Sequence, residues 1–150
     1  MANASEVTQQ PKAVFWALAL GGLIPFVFLA TAVVAGIDLG FGYAATTLFI
    51  FWSLAILSFL GGIRWGLALA QKPADFLVAI ISVLPCIAGL FSLLLEPRIT
   101  ILCLGVLFVF HGWWDTRYFS KTDLEWFSVL RFVLTILVAI IHLAVFWKLT

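Results

Sequence analysis

Five long apolar stretches occupy almost the whole chain, and short segments containing charges, prolines or glycines separate them. The stretches lack the alternation of apolar and polar residues typical of membrane strands, so each predicts a helix rather than a strand of a barrel. A helix that crosses the roughly 30 Å hydrocarbon core of a bilayer needs about 20 residues. The pattern predicts a single five-helix transmembrane domain over residues 13–150, preceded by a short polar tail at residues 1–12. The predicted spans cover residues 13–36, 44–70, 76–95, 99–114 and 127–147.

The composition agrees with this pattern. Of the 150 residues, 65% are hydrophobic and 10% are charged, and the mean hydropathy is +1.21. About a quarter of the residues in an ordinary soluble domain are charged, so the fold class predicted here is an all-α integral membrane protein. The net charge of +1, without a basic cluster, predicts no nucleic-acid partner.

The charges between the spans predict the orientation, because short cytoplasmic loops carry an excess of Lys and Arg. One side collects four cations and the opposite side two, namely Lys12, Lys72, Arg117 and Lys121 against Arg98 and Lys148. We therefore expect a cytoplasmic amino terminus and an external carboxyl terminus. The first twelve residues contain Glu6 and no arginine, unlike a cleaved presequence or signal. This favours a bacterial inner membrane over an organellar inner membrane.

One stretch contains a permanent charge, Arg64, surrounded by glycines. A charged side chain at the centre of a bilayer costs about 2.5 to 3.5 kcal/mol, so Arg64 should face the protein interior or the lipid headgroups and have a partner. At a rise of about 1.5 Å per residue, four other polar residues reach the same leaflet. We call this set the inner polar layer, and it comprises Arg64, His111, Asp115, Glu125 and Arg131. Asp115 and Glu125 are the available counter-ions.

Polar residues of the last stretch share one helical face. Ser128, Arg131, Thr135 and His142 fall within an arc of roughly 60°, which should point into the bundle. Thr135 lies one turn from Arg131, so the pair could hold a polar ligand or a water molecule. The alternative is that this face only packs against other helices through hydrogen bonds. Trp65, beside Arg64, could cap a polar pocket.

Small residues and prolines indicate how the helices pack. Gly62, Gly66 and Ala70 recur at four-residue intervals, a spacing that lets two helix backbones approach closely and predicts that the second span is central. Prolines inside the first and third spans each remove a backbone hydrogen bond and predict kinks. The predicted packing residues are Gly61, Gly62, Gly66, Pro25 and Pro85.

Familiar catalytic patterns are absent from the sequence. It has no HExxH motif, no phosphate-binding glycine loop and no Ser/His/Asp order, so we predict no catalytic residue. Cys86 and Cys103 lack metal-ligand spacing, and no metal site is predicted. His111 and His142 should lie roughly 20 Å apart in depth, too far to share a haem. We predict no cofactor, although a bound lipid is possible.

Three segments together resemble a known family. They are residues 22–26 (GLIPF), residues 57–68 (LSFLGGIRWGLA) and residues 126–135, in which Trp-Phe precedes Leu-Arg and Leu-Thr. Their order and spacing resemble an uncharacterised bacterial domain-of-unknown-function family that includes mitochondrial transmembrane protein 69. The resemblance implies a small multi-span inner-membrane protein without an established activity. It also implies that the family motif falls on Gly61, Gly62, Arg64, Trp65, Gly66, Arg131 and Thr135.

Three functional hypotheses follow from the sequence. The leading one is a non-enzymatic accessory or assembly subunit that packs against a larger membrane complex and holds lipid. The second is a binding or transport protein that takes an anionic headgroup or a small anion at the cytoplasmic leaflet through Arg64 and Arg131. The third is an enzyme that acts on lipid or quinone. The expected partners are membrane lipids and other integral membrane proteins.

Overall fold

The computed structural model describes residues 12–40, 44–71, 73–119 and 125–149, with the side chains of Phe119 and Glu125 outside that description. Within these ranges the regular secondary structure is entirely helical. The helices are α1 (Lys12–Gly21), α2 (Leu23–Ala35), α3 (Ala45–Ala70), α4 (Phe76–Ser92), α5 (Pro97–Phe119) and α6 (Glu125–Lys148). The predicted all-α fold class is confirmed.

Four helical stretches of the described chain are long and apolar enough to cross a membrane. They are Lys12–Ala35, Ala45–Ala70, Pro97–Tyr118 and Trp126–Lys148. Helix α4 is also apolar but has 17 residues, which gives a length of about 26 Å. That is slightly less than the roughly 30 Å hydrocarbon core. Among the described helical stretches that correspond to the five predicted spans, α4 is the shortest. The orientation of the termini stays a prediction.

The first predicted span consists of two helices, α1 and α2, which meet at Gly22. Pro25 explains this interruption, because it has no N–H to donate to the carbonyl of Gly21 one turn earlier. Pro85 occupies a similar position within α4, yet that helix continues through it. Of these two prolines, the one that has glycines one turn before it is the one at which the helix is interrupted.

Two predicted boundaries differ from the structure. The fourth span was expected to end at residue 114, before Asp115, whereas α5 continues to Phe119. The expectation treated the Asp115 charge as a stop signal, but arginines from two other helices pair with it. The third span was expected to reach residue 95, whereas α4 ends at Ser92 and the following residues form a turn.

Packing arranges the helices around one core. α5 lies along α6, α3 lies along α4, and α2 contacts both α3 and α6. The centre of the bundle contains fully buried apolar side chains from four of these helices, including Phe26, Phe49, Leu57, Leu104 and Val145.

Glycines set the closest helix approaches, but not at the positions that the spacing predicts. A Cβ at Gly61 would lie 2.6 Å from the carbonyl oxygen of Ser82, so Gly61 is where α3 meets α4. Gly62 and Gly66 have open space where a Cβ would be, and Ala70 is exposed. This corrects the prediction that Gly62, Gly66 and Ala70 form the close contact within the bundle. They lie on the outer face of α3.

Candidate functional site

A buried ion cluster joins three helices around the carboxylate of Asp115. Its Oδ1 atom pairs with Nη2 of Arg64 from α3. Its Oδ2 atom lies 2.7 Å from Nε of Arg131 on α6 and 3.2 Å from Nδ1 of His111 on α5. None of these four residues is more than 5% exposed. We call Arg64, His111, Asp115 and Arg131 the Asp115 cluster.

The sequence positions explain this convergence. His111 and Asp115 are four residues apart and therefore lie on the same face of α5. Arg131 stands near the start of α6, which packs along the end of α5. The inner polar layer thus comes together in four of its five members. Glu125 was also predicted as a counter-ion, but its side chain is outside the described part of the structure.

Aromatic rings enclose the guanidinium of Arg64. Its central carbon lies 5.4 Å from the ring centroid of Trp114 and 5.6 Å from that of Tyr118. Such contacts stabilise a cation by electrostatic attraction to the ring face. Trp65, which the sequence suggested as a cap, is 48% exposed. Trp114 and Tyr118 both belong to α5 and lie one residue before and three residues after Asp115. Their closeness to Asp115 in the sequence was the signal that could have indicated these ring contacts.

Two polar atoms of the Asp115 cluster are buried without a hydrogen-bond partner among the described residues. They are Nε of Arg64 and Nε2 of His111. The cluster also combines two guanidinium groups with one carboxylate. The two guanidinium groups therefore exceed the described carboxylate by one positive charge inside the bundle.

An apolar cavity of about 470 Å³ lies beside this cluster. Residues of α1, α2, α3, α5 and α6 line it, including Leu23, Phe26, Leu60, Phe108, Leu134 and Val138. Arg131 and Thr135 are the polar residues of this lining. Pockets for small molecules commonly have volumes of about 300 to 1,000 Å³, so the cavity is large enough for one small ligand or part of a lipid.

Arg131 connects the cavity to the Asp115 cluster. Its Nε atom is engaged by Asp115, while its two terminal nitrogens make no hydrogen bond with any described residue. The hydroxyl of Thr135 donates to the carbonyl of Arg131 at 2.7 Å and packs against Gly112 on α5. The cavity wall therefore offers cationic donors in otherwise apolar surroundings.

A match to a known protein family covers nearly the whole helical bundle. Residues 11–147 match the family model described as Protein of unknown function (DUF3429). The chain belongs to this family. The match begins just before α1 and ends in the last turn of α6, so the Asp115 cluster and the cavity both lie within the DUF3429 domain. The predicted link with mitochondrial transmembrane protein 69 stays a prediction.

No curated protein and no solved structure matched this DUF3429 chain.

A second buried polar contact in the DUF3429 bundle lies deeper, at His142. Its Nδ1 atom is 2.8 Å from the carbonyl oxygen of Val138, and its Nε2 atom is 3.2 Å from the hydroxyl of Ser53 on α3. The rings of Phe49 and Phe108 pack around the imidazole, with centroids 4.9 and 5.3 Å away. This arrangement satisfies His142 and ties α6 to α3.

Two glycines that sequence reasoning missed position the polar face of α6. A Cβ at Gly112 would overlap the side chain of Thr135, and one at Gly105 would lie 3.1 Å from Cβ of His142. The two glycines are seven residues apart on α5, and Thr135 and His142 are seven residues apart on α6. The same glycine-to-side-chain contact therefore occurs twice along the α5–α6 interface. That matching interval was visible in the sequence.

Over the described ranges, no group of three His, Cys, Asp or Glu side chains could hold a metal ion. Cys86 and Cys103 are free thiols.

Proposed function

We propose that this DUF3429 protein binds a membrane amphiphile that has an acid group and an apolar chain. The observation that carries the proposal is the apolar cavity whose polar lining residues are Arg131 and Thr135. In this arrangement the acid group would bind the terminal nitrogens of Arg131, and the chain would lie against Phe26, Phe108 and Val138.

Charge balance supports an acid group. An unpaired charge buried in a bundle is costly, and the Asp115 cluster has one cation more than its described carboxylate can neutralise. A bound anion would remove that imbalance. Arg64 does not line the cavity. Of the two arginines proposed from the sequence, Arg131 is therefore the one that would contact the ligand.

The apolar lining favours an amphiphile over a small inorganic anion. A hydrated ion would lose its water against side chains such as Leu23 and Leu134, which offer no hydrogen bond in return. An apolar chain fills the same space without that cost.

Binding of tritiated palmitic acid to the protein in a nonionic detergent tests the proposal, with tritiated hexadecanol as the uncharged probe of equal length. We expect saturable binding of the acid and much weaker binding of the alcohol. A hydrogen bond to a charged group contributes about 1.5 to 3 kcal/mol, so Arg131→Gln should weaken acid binding about ten- to hundredfold. Arg131→Lys should have a smaller effect, because it keeps the charge.

Matched substitutions locate the site. Ala19→Phe would fill the cavity from α1, whereas Ala17→Phe makes the same change at an exposed position outside the lining. Only the first should abolish binding. Arg117→Gln removes an exposed arginine and should leave binding unchanged. Equal binding of acid and alcohol, or full binding by Arg131→Gln, would contradict the proposal.

A second candidate function is an accessory or assembly subunit that packs against another integral membrane protein. Its support is the outer face of α3, where Gly62, Gly66 and Ala70 leave the backbone accessible to a neighbouring helix. Extraction from the native membrane in a mild detergent should then yield a larger complex, which Gly66→Leu disrupts and Arg131→Gln leaves intact. Recovery of the unmodified chain as a lone species would exclude this role.

A further inference from the structure

Helix α1 forms one wall of the cavity but is held loosely. It supplies Phe15, Leu18 and Ala19 to the lining, yet it has no buried residue. Among the other helices it packs only against α2 and α6. Every other helix that lines the cavity contributes to the buried core. This wall can therefore move with little disturbance of the core.

The junction between α1 and α2 has the features of a hinge. Gly22 separates the two helices, although it keeps helical backbone dihedrals and its N–H donates to the carbonyl of Leu18 at 3.1 Å. Pro25 has no N–H, so the carbonyl of Gly21 lacks the usual donor four residues later. Glycine beside a missing hydrogen bond makes this the least constrained point of the first span.

The first turn of α1 contacts α6 through a pair of aromatic rings. The ring centroids of Phe15 and Trp126 lie 5.8 Å apart with an interplanar angle of 51°. Val14 and Leu20, which are exposed on α1, are apolar and suited to lipid. A displacement of α1 away from Trp126 would therefore open the cavity sideways into the bilayer rather than into water.

We propose that α1 is a lateral gate that swings about Gly22 and lets the acid amphiphile pass between the cavity and the surrounding lipid. The inference rests on the proposed function, since a gate needs a ligand to admit. To the proposed binding function, the gate adds the path of the ligand. The ligand enters from the membrane leaflet, and the Phe15–Trp126 contact then closes the cavity.

A reversible cross-link across the gate tests this route. Phe15→Cys and Trp126→Cys are combined with Cys86→Ser and Cys103→Ala, and a short bis-methanethiosulfonate linker joins the two new thiols. Protein loaded with tritiated palmitic acid is placed in lipid nanodiscs and mixed with vesicles containing unlabelled acid. We expect the cross-link to slow release at least tenfold and a reductant to restore the original rate.

A second cross-link serves as the matched control. The hydroxyl of Ser58 on α3 lies 2.9 Å from the thiol of Cys86 on α4, and neither residue lines the cavity. Ser58→Cys with the native Cys86 and Cys103→Ala therefore joins two helices without touching the gate. This cross-link should leave the release rate unchanged.

Stiffening the hinge provides an independent measurement without any cross-link. Pro25→Ala restores an N–H that can donate to the carbonyl of Gly21 and make the first span continuous. Release of palmitic acid should be slower in this variant, while the amount bound at equilibrium stays close to that of the unmodified chain. If the double-cysteine protein fails to fold, the release rate of the Pro25→Ala variant still tests the gate.

The outcomes separate the two proposals. Release from the cross-linked gate at the rate of the Ser58→Cys control, or unchanged release from Pro25→Ala, would overturn the gate while leaving ligand binding in place. A failure of the unmodified chain to bind palmitic acid would instead overturn the proposed function, and the gate with it.

Discussion

The Oδ2 atom of Asp115 lies 2.7 Å from the Nε atom of Arg131, and through this contact a buried carboxylate of α5 holds the arginine that lines the cavity. The same carboxylate neutralises Arg64 from α3. Asp115 therefore ties three helices together and positions the arginine that lines the cavity.

Asp115→Asn should strongly destabilise the protein, because two buried guanidinium groups would then face a neutral amide. Removal of one member of a buried ion pair costs about 3 to 5 kcal/mol. Unfolding by sodium dodecyl sulfate in mixed micelles measures the loss. Asp38→Asn makes the same change at an exposed carboxylate and should cost little. Equal stability of the two variants would contradict the central role of Asp115.

Trp114→Leu should weaken the enclosure of Arg64 and lower the free energy of unfolding by about 0.5 to 2 kcal/mol through the lost cation–π contact. The neighbouring Trp113 contacts Arg117 instead and is 48% exposed. Trp113→Leu is therefore the control and should cost less in the same unfolding assay. A larger effect at Trp113 would show that ring contact with Arg64 is unimportant.

Gly112→Ala should destabilise the α5–α6 contact by about 1 to 3 kcal/mol, since its methyl group would overlap Thr135. Gly62→Ala adds the same methyl group to open space on α3. There the higher helix propensity of alanine should stabilise the helix by up to about 1 kcal/mol. Circular dichroism during thermal unfolding compares the two, and a shift of the same sign in both would contradict this packing.

Palmitic acid should raise the unfolding temperature of the unmodified chain, because a ligand that binds only the folded state stabilises it by about 2.7 kcal/mol at one hundred times its Kd. Arg131→Gln should remove most of the shift at the same concentration. Hexadecanol, tested in parallel, reveals how much stabilisation the apolar chain gives alone. A shift that persists in Arg131→Gln would place the acid group elsewhere.

The helices were predictable from sequence, because each depends mainly on a long apolar run that has no other stable form in hydrocarbon. The placement of Arg64 and Asp115 in one leaflet followed from depth, since the rise per residue fixes how far along its helix a side chain lies. The same estimate of depth left Asp115 and Glu125 as the two candidate counter-ions for Arg64.

The remaining features depend on how helices rotate about their own axes. Gly61 and Gly62 are adjacent and chemically identical, and only the position of Ser82 on α4 makes the first the contact and the second an outer residue. The cavity is a collective result of packing by five helices, and no single residue specifies it. The extension of α5 beyond Asp115 depends on charges supplied by other helices.

The 51 residues that separate Arg64 from Asp115 also impose an order on biosynthesis. At about 5 to 20 residues per second, the ribosome completes α3 roughly 2 to 9 s before it makes the carboxylate that neutralises its guanidinium. During that interval α3 would enter hydrocarbon with an unmatched cation. Stable insertion of α3 should therefore wait for α5, so the helices would settle in the bilayer in a different order from the one in which they are translated.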